Sequence, residues 1–147
     1  MEKIIVSACL LGASTRYDGD SKKGISDEAL KKLNEKYHLI PVCPEIYGGL
    51  PTPRFPSEIL GDRVVMKDGT DVTENFLRGA YETLKLCRAL GVSKAILKAK
   101  SPSCSKKRIY DGSFTGRLIP GEGIAARLLS ENGIEVFDEN EIEIILS

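Results

Sequence analysis

The sequence predicts a three-layer α/β fold built on a doubly wound, mostly parallel sheet of Rossmann-like type, with residues 1–147 forming one domain. Three observations predict it. Strand-like apolar runs alternate with segments of helical period along the chain. The first run, IIVSAC, is continuous rather than alternating, as a strand buried on both faces must be. The longest polar loops follow the ends of three such runs, where an open α/β sheet places its ligands. The resulting order is β-α-β-(loop)-α-β-(loop)-α-β.

Taken in order, IIVSAC is the first strand and LLGASTRYDGDSKKG, rich in Gly, Ser and Asp, is a long loop. Ser26 is positioned to cap a helix whose apolar stripe runs through Ala29, Leu30, Leu33 and Tyr37. His38 to Cys43 reads as the second strand, and Pro41 restricts it to a sheet edge or a strand end. PEIYGGLPTPRFPSEILGDR, with four prolines and three glycines, reads as a loop. RVVMKDGTDV reads as a hairpin or short strand with an Asp-Gly turn. Thr73 is expected to cap the next helix, which ends at Gly91 and carries Leu77, Ala80, Tyr81, Leu84 and Cys87 on its apolar stripe. KAILKAK is the third strand, and SKKRIYDGSFTGRLIPGEG a further polar loop. GIAARLLSENG is a helix stopped by Gly133, and IEVFDE the last strand.

Composition narrows the function classes. The 21 basic residues balance 21 acidic ones, which argues against a nucleic-acid backbone or an anionic membrane as partner. No apolar stretch approaches the roughly 20 residues that span a bilayer. The N-terminal MEKIIVSACLLG lacks a small-residue cleavage signal and reads as a strand, so the cytoplasm is the expected compartment. There disulfides are rare, and spare cysteines bind metal or do chemistry. A small domain of zero net charge is also a candidate for homo-oligomerisation.

Three of the four cysteines stand where a strand gives way to one of the three longest loops: Cys9, Cys43 and Cys104. Parallel strands would bring them to one rim of the sheet. Three thiolates at a common rim make a metal or cluster site with one coordination position open. Long loops are uncommon in a compact domain unless they do something. Cys87, in mid-helix on the apolar stripe, reads as core packing instead.

SACLLG…RYDG, PVCPEIYGGLPTPR and ILKAKSPSCS…IYDGSFTGRLIPGEGIAA resemble, in order and over nearly the whole chain, a bacterial family of domains once of unknown function that includes the 2-thiouracil desulfidases. The resemblance implies an oxygen-sensitive 4Fe–4S cluster held by Cys9, Cys43 and Cys104, with a fourth iron free for the sulfur of a thiolated nucleobase. It points to Glu45 and Ser101 as the groups acting on the substrate. Arg16, Asp18 and Arg54, in the rim loops, are candidates for substrate binding. The family often carries a further cysteine in the loop that here reads Ala13-Ser14-Thr15-Arg16. The reaction implied is non-redox removal of sulfur from a pyrimidine such as 2-thiouracil, giving uracil and hydrosulfide.

Each feature has a plainer reading. Cysteines fill space at strand ends, and three thiolates suit zinc in a hydrolase or structural module as well as iron. A non-enzymatic domain that senses sulfur or metal is a third class. Glu45 can pair with Arg54; if its stretch is extended, it shares a face with Cys43. Ser101, before a proline, is a common turn residue. The glycines of PGEG could open a helix onto an anion. His38, the single histidine, precedes a strand and leaves no partner for Ser-His or Cys-His catalysis. Lys98 and Lys100 read as a solvated strand end.

Overall fold

A computed structural model describes all 147 residues. Its centre is a four-stranded parallel sheet in the order β2-β1-β5-β8, formed by β1 (Glu2–Ser7), β2 (Tyr37–Val42), β5 (Lys94–Leu97) and β8 (Glu135–Asp138). Ile4, Ile5 and Val6 of β1 are fully buried, which is why this strand reads as an uninterrupted apolar run. Its side chains divide by the two-residue period of a strand. Ile5 enters one apolar layer with Leu84, Cys87, Ala126 and Leu129, whereas Ile4 and Val6 enter the other with Leu33, Tyr37, Ile142 and Ile145. The first layer is covered by α3 (Thr73–Leu90) and α4 (Ile124–Glu131), the second by α1 (Asp27–Lys36) and α5 (Ile142–Leu146). The three-layer, doubly wound architecture expected from the sequence is therefore present.

Local rules account for most boundaries. Ser26 caps α1, its Oγ accepting the Ala29 N–H, and Gly91 ends α3 in the left-handed conformation. Pro41 sits on β2, an edge strand, where its missing donor is tolerated. Tyr37 is the first residue of β2 rather than the last on the helix stripe; it is buried, and its hydroxyl donates to the Ile145 carbonyl.

Three expectations are corrected. Thr73 does not cap α3: Val72 holds that position, and the Thr73 hydroxyl accepts the Val64 N–H instead. Leu77 and Tyr81 are 54% and 57% exposed, because the buried face of α3 passes through Phe76, Gly79, Ala80, Thr83, Leu84 and Cys87. The polar segments after Cys43 and Cys104 are not structureless. SEIL forms β3 (Ser57–Leu60), antiparallel to β4 (Arg63–Met66), and RIY and LIP form a second hairpin, β6 (Arg108–Tyr110) with β7 (Leu118–Pro120). The expected Asp-Gly turn follows β4 and returns the chain to a bridge between Val65 and Asp71. Leu50, Ile59, Val64, Val72, Phe76 and Ile109 form a third apolar cluster that fastens both hairpins to the start of α3.

Candidate active site

A cavity of about 560 Å³ lies beyond the carboxyl ends of β1, β2 and β5, spanning the crevice where strand order reverses. Cys9, Cys43 and Cys104 all line it. Cys9 belongs to the 3-10 turn Ala8–Leu11 that follows β1. Cys43 is the N-cap of the one-turn helix α2 (Pro44–Tyr47) that follows β2. Cys104 ends the Ser101–Cys104 turn beyond β5. Cys9 and Cys43 are half-buried and Cys104 is buried. Cys87 lies apart, in the core beneath α3.

The thiols feel one another. Burial pushes Cys104 up to about 12, against hydrogen bonds to Ser103 and Ser7, and the charges of Cys43 and Cys9 raise it further. Burial also raises Cys9, with Cys43 the next cause, and burial raises Cys43. No three Cys, His, Asp or Glu side chains are placed to hold a single metal ion. The three cysteines line one cavity. A soft, all-sulfur donor set of this kind fits an iron–sulfur cluster, whose ligands bind separate irons.

Beside the thiols runs a polar chain. Arg54 Nε donates to Glu45 Oε1 at 3.1 Å, and Ser103 Oγ donates to Glu45 Oε2 at 3.1 Å. The side chains of Arg54 and Glu45 are 3% and 14% exposed, so the pair is largely withdrawn from solvent. Arg54 also donates to the carbonyls of Pro51 and Thr15 and to Thr52 Oγ1, tying the Thr15 loop to the Pro51–Thr52 segment. Ser103 Oγ lies 3.0 Å from Ser101 Oγ and 3.5 Å from Cys104 Sγ. Ser101 Oγ accepts the N–H groups of Ser103 and Cys104, which makes it the residue that shapes the turn as well as a cavity residue. The segment after Cys43 is helical, not extended, so Glu45 reaches the cavity from a helical turn rather than by strand alternation.

Close backbone packing fixes these turns. A Cβ on Gly79 of α3 would lie 1.8 Å from the Pro44 carbonyl oxygen, and one on Gly48 2.0 Å from that of Asn75. Only glycines let α2 seat on α3 at that separation. Gly123, the N-cap of α4, meets the turn at Ser103 and Cys104, where a Cβ would lie 2.5 Å from the Ser103 carbonyl carbon. The α4 N–H groups that an anion would need are taken: Ile124 donates to the Pro102 carbonyl, and Ala125 and Ala126 to that of Ser103. The PGEG segment thus clamps the Cys104 turn instead of opening onto an anion.

Of the other residues singled out from sequence, Arg16 lines the cavity and Asp18 does not. Asp18 accepts the Asp20 N–H and stands 3.8 Å from Arg16, holding its own loop. Lys98 and Lys100 line the cavity; Lys98 pairs with Glu139 at 2.9 Å. His38 is exposed on β2. The Ala13–Arg16 loop presents the Thr15 carbonyl, near Cys43 Sγ at 4.0 Å. Sequence reasoning missed Ser103, whose only signal was its place beside Cys104. It also missed the hairpin residues Ser57, Glu58, Tyr110 and Phe114, which line the cavity from segments that read as loops.

The family model described as 2-thiouracil desulfurase matches residues 4–141, a span that holds every residue of the site. The chain belongs to the 2-thiouracil desulfurase family. Within reach of this family, the Bacillus subtilis (strain 168) protein YbbK, an uncharacterised protein, is 39% identical over 153 residues, covering 97% of this chain and 99% of its own. A solved structure of the [4Fe-4S]-dependent thiouracil desulfidase TudS is 50% identical and superposes with a TM-score of 0.92, over 98% of this chain and 95% of that one. Agreement at this level extends the desulfurase family fold to the hairpins as well as the sheet.

Proposed function

We propose that this protein is a 4Fe–4S-dependent, non-redox desulfidase that removes sulfur from a thiolated pyrimidine such as 2-thiouracil, giving uracil and hydrosulfide. The observation that carries the reading is one cavity walled by three thiols and flanked by a carboxylate held on both oxygens. Cys9, Cys43 and Cys104 would hold the cluster. When bound, the cluster supplies a Lewis-acidic iron with an affinity for soft sulfur. Three thiols on one wall make a soft donor set, and the 50% identical thiouracil desulfidase, itself [4Fe-4S]-dependent, favours a cluster over zinc.

The chain's own residues do the rest. Arg54 and Ser103 fix the Glu45 carboxylate, so it meets substrate without reorganising. Glu45 takes a proton from the water that attacks the thiocarbonyl carbon and returns it to the departing side of the reaction. Water supplies the oxygen and sulfur leaves as hydrosulfide, so no electron donor is needed. Ser101 orients the turn and presents its hydroxyl to the cavity. Arg16 and Arg54 border the substrate space. A small thiolated base in the cytoplasm, and not a nucleic acid, is the partner that the neutral charge balance favours. No helix is long and apolar enough to cross a membrane.

Anaerobic loading with iron and sulfide, followed by assay of uracil and sulfide from 2-thiouracil, tests the reading. Serine at Cys9, Cys43 or Cys104 is expected to abolish both cluster and turnover. Glu45→Gln and Ser101→Ala should keep the iron and lower kcat roughly 10²–10⁴-fold. A loaded wild type that releases no sulfide, or single cysteine variants that retain the cluster, would overturn it.

A further inference from the structure

Glu58 is a second carboxylate in the cavity wall, and the proposed activity does not use it. It lies on β3, is 8% exposed, and stands opposite Val65 in the hairpin. Its Oε1 accepts two backbone N–H groups, from Gly112 at 3.0 Å and from Phe114 at 3.1 Å. Its Oε2 accepts none. That oxygen is not sealed in the protein either, since Ser57 Oγ is the one sealed side-chain polar atom without a partner. A buried carboxylate is costly unless its lone pairs are met. An oxygen left open in the wall of a cavity therefore calls for a donor on whatever fills that cavity.

The clasped segment points the same way. Phe114 is held at a φ of +58°, a left-handed conformation that a bulky side chain adopts only under constraint. The two Glu58 bonds supply part of that constraint. Phe114 lines the cavity and belongs to none of the three apolar clusters, so its ring is not spent on core packing. An aromatic face and an unsatisfied acceptor on one wall are what a flat heterocycle with ring N–H donors requires.

We propose that Glu58 is a specificity-determining residue: its free Oε2 accepts a ring N–H of the pyrimidine, while its Oε1 holds Phe114 against the ring face. The inference rests on the pyrimidine reading of the site. In 2-thiouracil both ring N–H groups flank the sulfur-bearing carbon, so a base with its sulfur on the thiol wall presents one of them sideways, to the hairpin wall of the same cavity.

The test is calorimetric binding of uracil, 1-methyluracil and 3-methyluracil to cluster-loaded protein, wild type against Glu58→Gln. Glutamine keeps an acceptor for the Gly112 and Phe114 N–H groups and replaces the second acceptor by a donor. Wild type is expected to bind uracil at least about 10-fold more tightly than one of the two N-methyl forms. In the variant the ratio should fall to within about 2-fold, and KM for the matching thiouracils should follow it. A residue that merely held the loop would weaken all three ligands alike and leave the ratio standing. That result, wild type that does not discriminate, or wild type that does not bind uracil, overturns the inference. Should Glu58→Gln fail to fold, Glu58→Asp, which withdraws the carboxylate by one methylene, is read by the same ratio. Discriminating binding without sulfide release from any thiopyrimidine would sustain the role of Glu58 and sink the desulfidase reading instead.

Discussion

Gly79→Ala is the substitution that most directly tests how the site is built. Gly79 lies in mid-helix on α3, and its added Cβ would sit 1.8 Å from the Pro44 carbonyl oxygen and 3.2 Å from the Gly48 nitrogen, where ordinary contact begins at 3.4 Å. Both near atoms are backbone, so no side chain can swing aside. Alanine favours a helix over glycine by about 1 kcal/mol, and an exposed site would register that gain. Here the clash opposes it: overpacking of this kind costs about 1–3 kcal/mol and is relieved only by lifting α2 from α3. Cys43, the α2 N-cap, and Glu45, in its first turn, would move with it. The difference is a net loss of up to about 2 kcal/mol, which corresponds to a Tm lower by up to roughly 8 °C for a chain of this size. Thermal unfolding of cluster-free protein and iron content after anaerobic loading are the two assays. Leu77→Ala, on the exposed face of the same helix, is the control and should stay within about 0.5 kcal/mol of wild type. A Gly79→Ala protein with unchanged Tm and full iron would show that α2 is not seated by this contact.

Three further outcomes follow from the same geometry. Arg54→Leu leaves Glu45 without its cation in a largely buried setting and should cost roughly 3 kcal/mol by denaturant unfolding; a change under about 0.5 would refute the bracing role. Cys87, pushed up to about 11 by burial, should resist alkylation at pH 8 in the folded protein, and Cys87→Ala should leave iron content unchanged. Glu141 is raised by desolvation, but the Lys106 ammonium, the Asp138 N–H and Lys107 outweigh that and hold its carboxyl below the ordinary range. Its folded value being depressed, it adds stability above the ordinary carboxylate pKa that is lost as pH falls through the folded one. Glu141→Gln should therefore be less stable than wild type by about 1 kcal/mol near pH 7, with the gap closing below pH 4; a pH-independent gap would contradict the assignment.

The sheet was legible because burial on both faces removes the need for alternation. Ile4-Ile5-Val6 reads as a strand with no knowledge of its neighbours, and Pro41 marks β2 as an edge. The hairpins were not legible for the opposite reason. SEIL, RIY and LIP are three or four residues long, too short to display a period, and sit among the Pro and Gly that signal loops. What fixes them is the remote cluster of Ile59, Val64, Phe76 and Ile109, a tertiary fact absent from any local window. The thiols were legible from their places at strand ends. Ser103 was hidden by resembling a turn residue, and Glu58 by lying 54 residues from Gly112, whose N–H it accepts.

That division has a chemical counterpart in the cavity. The sheet side brings Cys9, Cys43 and Cys104 from three successive strand ends, with the α4 N-terminus locking the last of them through the Pro102 and Ser103 carbonyls. The hairpin side brings Glu58, Tyr110 and Phe114 from two hairpins that pair with no strand of the main sheet. Glu45 and Arg54 join the two, since Arg54 reaches the Thr15 carbonyl on one side and the Pro51–Thr52 segment leading to β3 on the other. A change at one of the three thiols should therefore act on cluster content and kcat together. A change to the hairpin side should act on KM and leave iron in place. Arg54 is the one position where both should respond, because it alone is hydrogen-bonded to each half and to the carboxylate between them.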